Sequence, residues 1–292
     1  MAEKNSGNNN IFILTIDLEE WYHILDLDSI ADHNKWEHLE VRIYDNTYKI
    51  LDILGKKKIK ATFFVLGWIA KKFPDLVRHI SDQGHEIGSH SQNHILIYKS
   101  DYKSFKYDLQ ESIDTIQSII NKKVVAFRAP GFSIKEDSLW AFKIIAEAGI
   151  LIDSSIFPAM RAHGGIKQFR IDSPFLLKIG EYIIQEFPIN IFKLGFFKFP
   201  FSGGGYFRII PFYIFKYFAN RSNYVMTYFH PRDFDPYQPL IEGMSFIKKF
   251  KSYYGLSKSF DKLCNILGKF TFVNISSASK LIDWKKVPLV EF

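Results

Sequence analysis

Five short apolar runs along this chain each stop at a side chain capable of chemistry. IFILTID (11–17) ends on Asp17, HEIGSH (85–90) on His90, VVAFR (124–128) on Arg128, ILID (150–153) on Asp153, and YVMTYFH (224–230) on His230. Segments of helical period lie between them. VRIYDNTYKILDILG (41–55) carries Ile43, Ile50, Leu51 and Leu54 and stops at Gly55; a second helix is predicted from Pro74 to about Gln83 after the strand-like ATFFVLG (61–67). DYKSFKYDLQESIDTIQSII (101–120) is the clearest amphipathic helix, and KEDSLWAFKIIAEAG (135–149) has acids near its start and Gly149 at its end. A charged helix is predicted around 241–267. This alternation predicts an α/β fold with a parallel sheet, doubly wound or closed into a barrel. In such folds the carboxyl ends of the strands share one face, where ligands bind, so five residues remote in sequence would meet in one pocket.

The stretch GSHSQNH (88–94) sets two histidines four apart, on one side of a helical turn or a tight loop. Alone, such a pair reads as a solvated turn. Imidazole is a common zinc ligand, however, and two ligands leave a site incomplete. In TIDLEEW (15–21) Asp17 and Glu19 project to the same side of an extended chain. One of them can supply a carboxylate ligand while the other serves as base. With His90 and His94 this makes a His₂-carboxylate set that keeps a coordination position open, as catalytic metal sites do. The other histidines read differently: His79 and His85 as structural or exposed, and His23, His33, His38 and His163 as surface residues, with His163 within reach of the pocket.

Composition bounds the rest. With 292 residues, 47% hydrophobic and 24% charged, the chain can bury a sizeable core, and residues 11–292 are expected to form one domain behind a disordered polar N-terminus (1–10). No signal-peptide h-region and no apolar run of about 18 residues is seen, so a cytoplasmic location is expected. Cys264 stands alone and excludes an internal disulfide. The net charge of +7 is mostly dispersed lysine and does not point to nucleic acid, but Phe187 to Arg232 contains no Asp or Glu. That asymmetry favours an anionic ligand or a lipid surface; the lysine-interleaved aromatics of IFKLGFFKFPF and IIPFYIFKYF read first as core with snorkelling lysines and second as an interfacial patch giving peripheral membrane contact. Residues 155–221 break the alternation and read as an elaborated loop system, with SGGGYFR (202–208) allowing close backbone approach to a ligand.

In their order, TIDLEEW, GSHSQNH, FRAPGF, IDSS and YFHP resemble the five motifs of the polysaccharide deacetylase family, also called the NodB-homology or carbohydrate esterase family four fold, from about residue 11 to 235. The resemblance implies a distorted (β/α) barrel and metal-dependent hydrolysis of an N-acetyl or similar acyl group on a sugar. It assigns the base to Asp17 and the metal to Glu19, His90 and His94, with Glu20 as rival to Glu19, because this first motif looks like the Asp-x-Glu branch. A divalent ion, zinc first, would polarise the acyl carbonyl. Arg128 would orient Asp17, Gly131 would offer an N–H to the oxyanion, His230 would protonate the leaving amine, and Asp153 would hold that imidazole. Phe132, Gly204, Tyr206 and Arg208 would contact the substrate. The expected substrate is an N-acetylated sugar or glycoconjugate, carried on a nucleotide or lipid phosphate, in cell-surface polysaccharide or lipopolysaccharide assembly. A deformylase, another amide hydrolase of the same superfamily, and a catalytically silent sugar-binding protein are the competing readings.

Overall fold

The computed structural model describes residues 10–25, 33–159, 164–166, 171–194 and 197–292; the N-terminal segment expected to be disordered (1–9 of it) and His163 lie outside these. The first apolar run serves two sheets. Its beginning, β1 (Ile11–Ile13), and its end, β2 (Thr15–Leu18), separate at Leu14. From β2 the main sheet proceeds through β3 (Thr62–Val65), β4 (Glu86–Ser89), β5 (Ala126–Phe127) and β6 (Ile152–Asp153), each parallel to the last. Helices Ile43–Lys57, Pro74–Asp82, Tyr102–Ile120 and Trp140–Glu147 occupy the predicted intervals, and their apolar stripes join the strands in one core. Each strand is buried on both faces, which explains the continuous apolar runs in place of alternation.

The segment read as loops is largely built. It folds the antiparallel hairpin β7 (Phe175–Ile179) and β8 (Tyr182–Glu186), then the pair β9 (Phe192–Leu194) and β10 (Phe197–Phe199), then helices Gly204–Ile209 and Phe212–Ala219. β8 extends the main sheet beside β6, so the insertion continues the barrel wall. β11 (Tyr224–Met226) and β12 (Phe272–Val273) flank β1 in parallel, and β13 (Leu289–Glu291) closes the far edge on β7. A parallel bridge between Ile16 and Phe229 ties the two sheets together. The result is a mixed α/β architecture of the distorted (β/α) barrel type. The charged helix expected around 241–267 is two helices, Phe246–Tyr253 and Leu256–Lys269, interrupted where Gly255 adopts φ 77°. Among the described residues no helix is long and apolar enough to cross a membrane.

Candidate active site

Arg128 organises the strand tips. It is fully buried, and a buried guanidinium is tolerable only when its donors are met. Nη1 donates to Thr15 Oγ1 and to Asp17 Oδ1, both at 2.7 Å; Nη2 reaches Ser154 Oγ at 3.0 Å and Nε the Ser154 carbonyl at 3.3 Å. The face of Phe64 lies 4.3 Å from the guanidinium carbon. Residues from β2, β5 and β6 are thereby locked together, with one oxygen of Asp17 held and the other directed at His230, 3.8 Å away.

The histidine pair sits on a tight loop, not a helix. Asp108, on helix Tyr102–Ile120, accepts the N–H groups of Gln92 at 2.7 Å and Asn93 at 3.1 Å, while Ser91 (φ 67°) and His94 (φ 57°) take left-handed conformations. The folded loop aims both imidazoles at one carboxylate oxygen: Glu19 Oε1 lies 2.9 Å from His90 Nε2 and 2.8 Å from His94 Nε2. His90 Nδ1 is 2.7 Å from the Arg128 carbonyl, which can only accept, so Nδ1 carries the proton and Nε2 presents its lone pair to the cluster. Ligand atoms of Glu19, His90 and His94 all lie within 4.8 Å of one another, and all three residues are buried. Burial pushes the Glu19 carboxyl up, but His94 and His90 beside it hold it well below the usual carboxylate range. One carboxylate oxygen and two imidazole nitrogens, with a carbonyl fixing one tautomer, suit a divalent metal.

Glu20, the rival ligand, has another task. Its Oε1 accepts the N–H groups of Arg42 at 2.7 Å and Ile43 at 2.9 Å, capping helix Ile43–Lys57, which has no side-chain cap of its own. The metal-ligand geometry therefore belongs to Glu19.

The expected pairing of Asp153 with His230 is corrected. The Asp153 carboxyl turns back onto its own strand end, accepting the Ser155 N–H and Oγ–H at 2.8 Å each and bonding Glu186. His230 finds its carboxylate within its own turn: Asp233 Oδ2 lies 3.1 Å from Nδ1 and also accepts the His230 N–H at 2.9 Å. Burial alone would depress the imidazole; Asp233, Glu19 and Asp17 outweigh it and raise it to about 9. Burial likewise pushes Asp233 up, but Arg208 and His230 pull it down to about 2. The signal in the sequence was the spacing of His230 and Asp233 across a Pro231 turn, a local contact that a strand-tip argument does not seek.

These groups line a cavity of about 250 Å³ together with Gly131, Phe132, Gly204 and Arg208. Gly131 adopts φ 60° within the turn after Pro130, a conformation glycine takes without a steric penalty. Gly203, just before the helix, lies so close to β11's extension that a Cβ there would sit 2.1 Å from the Tyr228 carbonyl oxygen. Tyr206 is the exception among the expected substrate contacts. It is exposed and does not line the cavity, because Gly204, Gly205 and Arg208 share one side of their helix and Tyr206 turns away. Among the wall residues not expected from the sequence are Arg232 and His23. Arg232 lies beside Arg208 and is depressed to about 10, first by burial and then by that neighbour. His23, expected at the surface, is buried and accepts the Glu20 N–H at 3.2 Å through Nδ1.

Fold and site together define a (β/α)-barrel protein with an open His₂-carboxylate ligand set at its strand tips. The chain is similar to the polysaccharide deacetylases: the family profile described as "Polysaccharide deacetylase" matches residues 40–150, and one described as "Domain of unknown function (DUF3473)" matches 154–280. The first match contains His90, His94, Arg128 and Gly131; the carboxylates of β2 lie outside it, and the fold brings them in. A peptidoglycan-N-acetylglucosamine deacetylase of Bacillus cereus (strain ATCC 14579) is 34% identical over 107 residues, 36% of this chain and 48% of that protein. The chain thus matches about half the length of that relative. A Mycobacterium smegmatis structure assigned to the polysaccharide deacetylases superposes with a TM-score of 0.66 at 16% identity, covering 99% of this chain and 95% of the other. A pseudoenzyme of carbohydrate esterase family four from Bacillus anthracis superposes with a TM-score of 0.50 at 15% identity, covering 93% of this chain and 66% of the other. The fold by itself therefore does not establish turnover.

Proposed function

We propose that this chain is a metal-dependent carbohydrate de-N-acetylase, with zinc on Glu19, His90 and His94 in an Asp-x-Glu first motif. Residues 11–292 act as one catalytic domain, in the cytoplasm, on an anionic nucleotide- or lipid-linked sugar during cell-surface polysaccharide or lipopolysaccharide assembly. The observation that carries this reading is the position of Asp17: clamped by Arg128 through one oxygen, facing His230 with the other, and two residues from the metal-ligand carboxylate. A divalent ion held there would polarise an acyl carbonyl and acidify water. Asp17 takes the proton of the attacking water, the Gly131 N–H donates to the developing oxyanion, and His230 returns a proton to the departing amine. Asp233 keeps His230 in the orientation that delivers it. Support for an anionic substrate comes from charge balance. The cavity wall sets Asp17, Glu19 and Asp233 against Arg208, Arg232, Lys251 and the raised His230, so a dication bound there makes an already cationic cavity more positive.

The test is acetate release from N-acetylated sugar conjugates by the metal-loaded protein. Chelation is expected to lower the rate at least about 100-fold, and zinc to restore it. Formate in place of acetate would make it a deformylase, and ligand binding without product would make it a silent sugar-binding protein. A second measurement separates the two buried aspartates. Asp233→Asn is expected to lower kcat at least about tenfold and to shift the alkaline limb of the rate profile downward, because the imidazolium loses its counter-charge. Asp153→Asn should leave that limb in place.

A further inference from the structure

We infer that helix Phe246–Tyr253 docks this protein on an anionic lipid bilayer, with its outward face entering the interface. The inference rests on surface observations and is independent of the deacetylase reading. None of the helix's residues is buried, yet it carries large apolar side chains: Phe246 is 84% exposed, Ile247 66%, Phe250 44%, and Tyr254, at its end, 52%. At about 100° per residue these four fall within one arc of about 100°. Phe250 and Tyr254 stack on each other, ring centroids 4.6 Å apart, and on no core residue.

Polar bonds anchor the C-terminal end of the helix. Arg208 donates to the carbonyls of Ser252 (2.8 Å) and Lys251 (2.5 Å), and the Tyr253 hydroxyl, while accepting the Ile241 N–H at 2.9 Å, donates to the Pro239 carbonyl at 3.1 Å. Its apolar stripe is thus held outward, not waiting to fold inward. Charge selects the occupant. Residues 243–260 contain Lys248, Lys249, Lys251 and Lys258 and no acid, and Lys249 and Lys251 border the stripe on either side. An apolar arc of Phe, Ile and Tyr bordered by lysines is the composition of a helix lying in a bilayer interface, where each lysine near an anionic surface adds to the attraction. Lys251 and Ser252 also line the active-site cavity, so docking on this face brings the cavity mouth to the lipid headgroups.

Co-sedimentation of the full chain with vesicles tests this. Binding to an equimolar phosphatidylcholine–phosphatidylglycerol mixture is expected to exceed binding to phosphatidylcholine at least about tenfold. The double variant Phe246→Ser, Ile247→Ser and the double variant Lys248→Glu, Lys249→Glu should each lose about tenfold or more, with unchanged circular dichroism and melting temperature. Equal binding to both vesicle types, or full binding by the Phe246→Ser, Ile247→Ser variant, would overturn the inference. So would a wild-type dimer in sedimentation equilibrium that the same substitutions dissociate, since the stripe would then be covered by a second copy. Acetate release from a soluble substrate should be untouched in both variants, so loss of docking and loss of catalysis are read separately.

Discussion

Asp17→Asn is expected to lower acetate release by about 10³-fold while the protein still binds one equivalent of zinc. The substitution keeps an acceptor oxygen for Arg128 Nη1 and removes the basicity, and the ligand set of Glu19, His90 and His94 does not include the altered carboxyl. A second carboxyl pair, Asp153 and Glu186, also lies close to Arg128. Burial raises both Asp153 and Glu186, and Arg128, though it pulls both downward, does not outweigh that burial. Metal analysis beside the rate measurement distinguishes the outcomes. Loss of zinc together with activity would make Asp17 a ligand, and retention of near wild-type rate would remove it from the chemistry.

The second large effect is on stability. Arg128→Met should lower the free energy of unfolding by about 3–5 kcal/mol, because it strands the buried Asp17 carboxylate and leaves Thr15 and Ser154 without their donor. Adding Asp17→Asn to Arg128→Met should recover part of that loss, since no unpaired charge then remains. Urea unfolding of the two single variants and the double variant gives the coupling directly. Midpoints that simply add, with no recovery, would mean the pair is not the electrostatic centre of the strand tips. Arg128→Lys should not rescue the fold fully, because an ammonium cannot address Thr15, Asp17 and Ser154 from one plane.

The strand tips were legible because a doubly buried parallel strand is a largely apolar run, so a carboxylate, guanidinium or imidazole at its end stands out. Asp17, His90, Arg128 and Asp153 all stand at such ends, and the structure places them at the ends of β2, β4, β5 and β6 in one parallel sheet, with β3 between the first two. What lay outside this logic were partners set by turns and caps. Whether Glu19 or Glu20 faced the histidines depended on a helix N-terminus that begins at Ile43 and claims Glu20 for its own exposed N–H groups. The Asp233 contact lies within a single turn, and Asp153 was drawn away from His230 by Ser155 and Glu186, a residue of the hairpin missed in the segment read as loops. That hairpin breaks the parallel alternation by pairing antiparallel around Gly180, and the aromatic run following it has neither strand nor helix period. Tyr206 failed for a simpler reason: motif membership was taken as direction, and a helix sends neighbours in sequence to different sides.

Arg128 contributes twice to the site, through its guanidinium to Asp17 and through its carbonyl to His90 Nδ1. The carboxylate proposed as proton acceptor and the Glu19–His90–His94 set are therefore joined through a single amino acid. Substitutions in the insertion residues that line the cavity, Gly204 and Gly205, would leave the spacing of that carboxylate from the set unaltered. Evolution could remodel that wall for new sugars while the reactive pair travelled unchanged.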